Sequence, residues 1–371
     1  MLVNVLQENL KIVLGLVGKV TNESDMIFTS GVSTTLLTTE NNKLKISGTS
    51  VVQSLVCWID ADVKQHGSIL VPTKTFSDYI TAMPIDRLTI EDKTSKTGHF
   101  SCGNTVLKLR LVPVAEFPNP PAADPIGEVS FEVQRVKLLE AINHVAYAAS
   151  SDQTRPSLTG VLFNVNKAGK LSLVGGDGSR LSVVKLDIEC DKDIKVTLPK
   201  KSCSVLSAVL GEATAEIVKV MLTQNASVFD MENVEYRTQN LIHKFPDYEN
   251  AIPKSSTTTA KVSKDEFLRA VRMSNVISKQ GNNIIKVSIS QGSIVLESSA
   301  KELGENINTV KAEVEGDDVV INLSCKFLLE LLANIIGSNL VVKATTPVSP
   351  VLVCGSDECL SILMPMYVAG G

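Results

Sequence analysis

Four histidines, His66, His99, His144 and His243, have the side chain best suited to proton transfer near neutral pH, and they lie in separate stretches of the sequence. No G-x-S-x-G elbow, HExxH helix or P-loop accompanies any of them. His144 falls on a basic helical stretch and reads as an exposed side chain. The seven cysteines, Cys57, Cys102, Cys190, Cys203, Cys325, Cys354 and Cys359, are odd in number, scattered, and form no CxxC pair. Zinc and a disulfide framework are therefore both disfavoured, and buried free thiols in a reducing compartment are expected. Gly175-Gly176-Asp177-Gly178 could cradle a phosphate, but no lysine–serine pair or Rossmann spacing follows it. It reads as a tight connection between strands. These residue types predict no catalytic group, no metal and no cofactor.

Recurring cations offer a different chemistry. Val71-Pro72-Thr73-Lys74, Leu198-Pro199-Lys200-Lys201 and Leu323-Ser324-Cys325-Lys326 align so that Lys74, Lys201 and Lys326 stand in one register, 127 and 125 residues apart. Leu44, Leu171 and Ile294 recur at 127 and 123. Helices are predicted at 4–19, 73–83, 133–149, 199–211, 263–280 and 324–336. Those windows hold 12 Lys/Arg against 6 Asp/Glu, a net +6, while the remainder of the 371 residues carries −10. A chain of net −4 is no conventional basic nucleic-acid module on average. Its segregated lysines, with aromatics at only 4 % of residues, suit attraction to a phosphate backbone without base reading. An acidic remainder discourages binding on any other face.

The elements that carry these residues follow from periodicity. Leu6, Leu10, Val13 and Val17 recur at helical spacing, and Glu8 and Lys11 interrupt any signal-peptide core, so an amphipathic first helix is expected. No apolar run reaches membrane-spanning length. Short strands are predicted at Met26-Ile27-Phe28, Thr34–Leu37, Lys43–Ser47 and Ser68–Pro72. Pro113–Ile126, with five prolines, and the polar run Ser255–Thr259 read as linkers. Helix, strands and helix then return twice. Leu138, Ala141, Ile142 and Val145 mark one helix face, and strands fall at Gly160–Val165, Lys170–Val174, Leu181–Leu186, Ile284–Ser288 and Ser293–Leu296. An α+β chain of three similar domains follows, at 1–125, 128–253 and 258–371. The repeat is domain-sized and is no solenoid.

Three stretches narrow the reading. Lys244-Phe245-Pro246-Asp247-Tyr248 is an ordered turn, because proline holds Phe245 extended and Asp247 can accept bonds from the turn backbone. With Thr154-Arg155-Pro156-Ser157-Leu158-Thr159-Gly160-Val161-Leu162-Phe163 and Leu363-Met364-Pro365-Met366, it resembles the bacterial DNA polymerase III beta-subunit family, the DNA sliding clamps. The likeness runs along the whole chain in order and length. Its specific motifs lie in the middle and at the C-terminus.

The resemblance implies three DNA-clamp domains per chain and a head-to-tail homodimer closing a ring. Helices line the hole and sheets form the outside. It implies a cytoplasmic, non-enzymatic processivity factor without cofactor or membrane attachment, encircling duplex DNA irrespective of sequence. His144 would then be within reach of DNA. Lys11, Lys19, Lys74, Arg135, Lys137, Lys200, Lys201, Lys264, Arg269 and Lys326 are the expected DNA-facing cations. A DNA polymerase and a clamp loader would insert a short linear motif into a groove of Leu158, Gly176, Gly178, Ser179, Arg180, Leu181, Pro246, Asn250, Ala251, Ile362, Leu363, Met364, Pro365 and Met366. Leu158, Leu181, Leu363 and the two flexible methionines are its expected apolar floor. The dimer interface would pair an edge strand at Val106, Leu107 and Leu109 with the third domain near Arg272 and Met273.

Departures are present too. The family commonly has threonine at Gly176 and a basic residue near Asn250, and it ends sooner after Met-Pro-Met. The divergent first third points to a distant member, with a phage or plasmid source left open. The competing readings are a clamp-derived scaffold that keeps the groove without encircling DNA, and an α+β hydrolase, which would need a catalytic set that the sequence does not display.

Overall fold

The computed structural model describes residues 1–21, 33–94, 96–119 and 129–367. The strand expected at Met26-Ile27-Phe28, much of the Pro113–Ile126 linker and the last four residues lie outside the described residues. The order of elements repeats three times. The first repeat is β1 (Leu2–Leu6), α1 (Gln7–Val20), β2 (Thr34–Glu40), β3 (Lys43–Thr49), β4 (Gln53–Asp60), β5 (Asp62–Gln65), β6 (Ser68–Pro72), α2 (Thr73–Ala82), β7 (Arg87–Thr94), β8 (Thr97–Cys102) and β9 (Thr105–Arg110). The second runs β10 (Val129–Gln134), α3 (Arg135–Ala146), β11 (Gly160–Asn166), β12 (Lys170–Gly176), β13 (Arg180–Asp187), β14 (Ile194–Pro199), α4 (Lys200–Glu212), β15 (Ile217–Leu222), β16 (Ala226–Asp230) and β17 (Val234–Gln239). The third is β18 (Thr258–Ser263), α5 (Lys264–Ser278), β19 (Ile284–Ser290), β20 (Ser293–Ala300), β21 (Gly304–Lys311), β22 (Glu313–Gly316), β23 (Val319–Ser324), α6 (Cys325–Asn334), β24 (Asn339–Ala344), β25 (Val351–Ser356) and β26 (Cys359–Leu363).

Two expectations change. The first helix does not begin near residue 4, because Leu2-Val3-Asn4-Val5-Leu6 alternates and buries Val3 and Val5 as a strand between β5 and β7. The Ser255–Thr259 linker is half strand, since the β-branched Thr258 and Thr259 open β18 and Thr258 is buried.

The repeat also has a hydrogen-bond signature. The first residue of each leading helix donates its backbone N–H to the segment beyond the second helix: Gln7 to Asp86 O at 3.1 Å, Arg135 to Glu216 O at 2.9 Å, Lys264 to Ser338 O at 2.9 Å. The first residue of each second helix donates instead to the residue just before the strand that follows the leading helix: Thr73 to Ser33 O, Lys200 to Thr159 O and Cys325 to Asn283 O, at 2.8, 3.0 and 2.8 Å. Six helix starts are thus anchored by the same two bonds, used three times.

The described chain divides into two compact units. The first, Met1–Val136 with Lys201–Asn240, holds a sheet ordered β5-β1-β7-β8-β9 and another ordered β10-β15-β16-β17-β4-β3-β2-β6. Its core packs Leu10, Leu14 and Val17 of α1 with Phe76 and Ile80 of α2, and Phe76 tilts against Phe100 at 4.7 Å between ring centres. The second unit, Lys137–Lys200 with the chain from Leu241 on, holds the orders β14-β11-β12-β13-β26-β25-β24-β18-β22 and β21-β20-β19-β23. Here Phe267 and Val271 of α5 are buried with Leu328, Leu331 and Leu332 of α6. Ser324 caps α6 through Phe327 N, and Gly337, at φ +121°, follows its end.

Each unit therefore contains a joint between repeats. In the first, β4 pairs antiparallel with β17 from Gln53↔Thr238 to Cys57↔Val234. In the second, β13 pairs with β26 from Arg180↔Leu363 to Val184↔Cys359. Both joints join the third strand after a leading helix to the last strand of the next repeat. The strands left in those roles are β21 and β9, and each is the edge of its own sheet.

Candidate functional site

The β12–β13 hairpin frames an apolar recess. Gly175 must lack a side chain, since a Cβ there would stand 2.1 Å from Val145 O, and Gly178 turns at φ +92°. Asp177 closes the turn: its Oδ1 accepts from Ser179 N at 2.9 Å and Arg180 N at 3.1 Å. Its Oδ2 accepts from Arg180 Nε at 3.0 Å. Ser179 O in turn receives the N–H of Met364 at 2.9 Å. The floor is a cluster of Leu162, Val174, Leu181, Phe245, Tyr248, Leu352 and Ile362, with Leu158 and Ile252 packed against it. Leu158 arrives on the 3-10 turn Pro156–Leu158. Asp247 accepts from Glu249 N at 3.2 Å and from Asn250 Nδ2 at 2.8 Å, as the Phe-Pro-Asp turn requires. Pro246, Asn250 and Ala251 form the exposed rim, Gly176 and Ser179 sit on the hairpin, Pro365 is half-buried, and Met364 and Met366 are 42 % and 39 % exposed.

One floor residue is corrected. Leu363 is 2 % exposed and outside the cluster; its neighbour Ile362 occupies the floor, because successive side chains of β26 point to opposite faces. Leu352 and Cys354 of β25 and Ile252 were missed. No strand is expected at 351–356; β25 forms a tight hairpin with β26 through Asp357 and Glu358, and only the pairing of β26 with the distant β13 brings it to the recess.

The cations divide into two groups. Lys11, Lys19, Lys74, Lys137, Lys201, Arg269 and Lys326 are exposed. Arg135, Lys200 and Lys264 are half-buried and bond to helix-end carbonyls, a correction to their expected role. Arg135 donates from Nε to Ala215 O at 2.8 Å and from Nη1 to Leu210 O at 2.6 Å, at the end of α4. Lys200 Nζ donates to Ala149 O at 2.6 Å, beyond the end of α3, and Lys264 Nζ to Ile335 O at 2.6 Å, beyond α6. In the first repeat Gln7 does the same without charge, through Nε2 to Ile80 O at 2.5 Å. The last carbonyls of a helix lack partners within it and attract cations, which accounts for the capture. Burial, reinforced by Arg180, holds the Lys200 ammonium below its ordinary pKa.

His144 is corrected as well: it is fully buried. Its Nδ1 lies 3.2 Å from Asn334 O and its Nε2 3.4 Å from Leu360 O, with Cys359 Sγ 3.4 Å and Ser361 Oγ 3.4 Å from Nε2. Burial pushes its pKa down, against the raising effect of the two carbonyls, and Lys264 adds a further lowering. With no exposed surface, the His144 ring offers no contact to DNA.

Models of three domains of the DNA polymerase III beta subunit match this chain: the N-terminal domain over 5–121, the central domain over 132–247 and the C-terminal domain over 249–367. The chain belongs to the DNA polymerase III beta-subunit family. It therefore carries three clamp domains of mixed helix and sheet. It is similar to the beta sliding clamp of Bacillus subtilis, 28 % identical over 311 residues that cover 82 % of this chain and 81 % of that one. The beta sliding clamp of Pseudomonas aeruginosa is 24 % identical over 340 residues, covering 90 % and 91 %. Among solved structures, the beta subunit from Thermotoga maritima superposes with a TM-score of 0.89 at 24 % identity, covering 99 % of this chain and all of that one. The Pseudomonas aeruginosa clamp bound to griselimycin gives 0.90 at 23 %, with the same coverage. At such identities the structural likeness speaks to the fold.

Within this beta-subunit fold, Val106, Leu107 and Leu109 lie on β9, which among the described residues pairs only with β8. Val106 is 54 % exposed. Arg272 and Met273 are exposed on α5, which bonds to β21 through Ser274 to Asn306 and Asn308 to Ala270 O. The edge in that repeat is β21, which carries the exposed Ile307. Among the described residues no helix is long and apolar enough to cross a membrane.

Proposed function

We propose that the chain is a DNA sliding clamp, a homodimeric ring that encircles duplex DNA and tethers a replicative polymerase. The observation that carries this is the pair of internal joints. β4–β17 and β13–β26 repeat one pairing rule, and β21 and β9 are the strands that the rule leaves open. Two copies placed head to tail satisfy both open edges, β21 of each pairing with β9 of the other. Residues 304–308 of β21 stand where 53–57 and 180–184 stand in the existing joints. Family membership and relatives named as beta sliding clamps point the same way, and they do not favour a scaffold that leaves DNA unencircled.

We place domain boundaries at 1–125, 128–253 and 258–371. The helices then border the hole, with Lys11, Lys19, Lys74, Lys137, Lys201, Arg269 and Lys326 as the phosphate-facing set; Arg135, Lys200 and Lys264 are withdrawn from it. Loose, sequence-independent attraction permits sliding, because the counterion effect is the same at every position along the duplex. Closure then gives processivity and no catalytic step is required. The recess of Leu158, Leu181, Ile362, Leu352 and Met364 takes a short apolar linear motif from a polymerase or a clamp loader. Unbridged thiols agree with a reducing cytoplasm. The test is retention on nicked circular duplex, with release when the circle is linearised. Equal retention on both forms rejects topological tethering.

A further inference from the structure

We propose that Glu330, on α6, is a positioning residue for the motif-binding recess, acting through Arg180 on Met364. The inference rests on the groove reading above and extends it to a helix that does not line the floor.

Arg180 begins β13, yet its side chain is only 9 % exposed. Each of its three nitrogens donates a hydrogen bond, and two aromatic rings stand close to it. Nε donates to Asp177 Oδ2, Nη1 to the Glu330 carboxylate and Nη2 to Tyr147 O at 3.1 Å. The Phe327 ring stands 4.4 Å from the guanidinium carbon and the Tyr147 ring 5.3 Å. A planar cation held this way cannot rotate without breaking several contacts. Its hold on Asp177 matters because the other oxygen of that carboxylate shapes the turn at Ser179 and Arg180. Ser179 O then fixes the backbone of Met364, the first residue beyond β26. The contact chain therefore runs Glu330, Arg180, Asp177, Ser179, Met364. Removing Glu330 leaves a largely buried cation with one carboxylate in place of two. Asp177 is then drawn from its turn toward Arg180, and the methionine loses its fixed departure from the strand.

The experiment uses the full-length protein and a fluorescein-labelled pentapeptide with adjacent leucine and phenylalanine side chains. Glu330→Ala is expected to weaken binding about fivefold, and to add nothing further in an Arg180→Ala background. Full loss from Glu330→Ala in both backgrounds, or none in either, overturns the inference. Glu330→Gln keeps the side-chain shape and covers the case of a variant that does not fold. With methyl-labelled methionine, Glu330→Gln should shift the Met364 signal in the absence of peptide. An unmoved Met364 methyl also overturns the inference, whatever the peptide does. If Met364→Ala leaves peptide affinity unchanged while that methyl does shift, the groove reading fails and the positioning chain stands.

Discussion

Ser182 and Ser361, 179 residues apart, set their hydroxyl oxygens 2.8 Å from one another where β13 meets β26. Leu55 and Tyr236 face each other at the matching place where β4 meets β17. The second joint thus carries a buried polar chain, since Tyr147 OH lies 2.7 Å from Ser182 Oγ and His144 Nε2 3.4 Å from Ser361 Oγ. The first instead seats one large side chain: the single hydroxyl proton of Tyr236 faces two acceptors, Gln53 Oε1 at 2.7 Å and Ser202 O at 3.1 Å.

The first joint should be sensitive to a single oxygen. Tyr236→Phe leaves the ring packed but strands the buried Gln53 oxygen, at a cost of about 1–3 kcal/mol. Trp58, the only tryptophan, lies on β4 and reports this unit by fluorescence. The urea midpoint should fall; an unchanged midpoint would show that the bond is not needed there.

Acid should loosen the second joint. The His144 pKa is lower in the folded chain than the usual 6.5, so its neutral form stabilises the fold above pH 6.5. That contribution is lost as pH falls from 6.5 through the folded value, because the unfolded chain binds the proton more readily. His144→Gln should flatten the dependence of unfolding on pH between 5 and 7, and equal slopes in the two proteins would count against it.

Capping cations and phosphate-facing cations should separate cleanly. Arg135→Ala removes charged bonds to Leu210 O and Ala215 O and should destabilise by about 1–3 kcal/mol, with little change in DNA affinity. Lys137→Ala, two residues on, should do the reverse and make the salt dependence of DNA binding shallower. Thermal melts and salt titrations of both variants check the distinction.

A charge on the open edge should prevent closure. Ile307→Asp on β21 places an unpaired carboxylate in the proposed joint with β9. Light scattering should give a mass near the 39.9 kDa of one chain, where the unaltered protein should give near twice that. A dimeric variant would move the interface elsewhere.

Leu352→Ala should weaken binding of the labelled peptide about tenfold at an unchanged dimer mass, because that side chain belongs to the recess floor. Undiminished affinity would remove β25 from the site.

Legibility in the sequence followed locality. Lys74, Lys201 and Lys326 mark helix starts because Val-Pro-Thr-Lys and its kin encode a strand end and a helix start within four residues. The Gly175–Gly178 run and the Phe-Pro-Asp turn were readable for the same reason. Leu363 was misplaced against Ile362 because a one-residue shift in a strand exchanges its two faces, and four of the last five residues of β26 through Leu363 are buried on one side or the other. His144 was misjudged since its four polar neighbours come from α6 and β26, about 190 or more residues away along the chain.

By itself the amino-acid order determined that one pattern of helices and strands occurs three times, because each period and each cap is set by neighbours a few positions apart. Only the tertiary structure decided which strands join across repeats, and which cations lie against carbonyls at a distant helix end rather than remaining exposed. A lysine has the same charge in either place. What distinguishes them is the partner, and the partner is brought near only by folding.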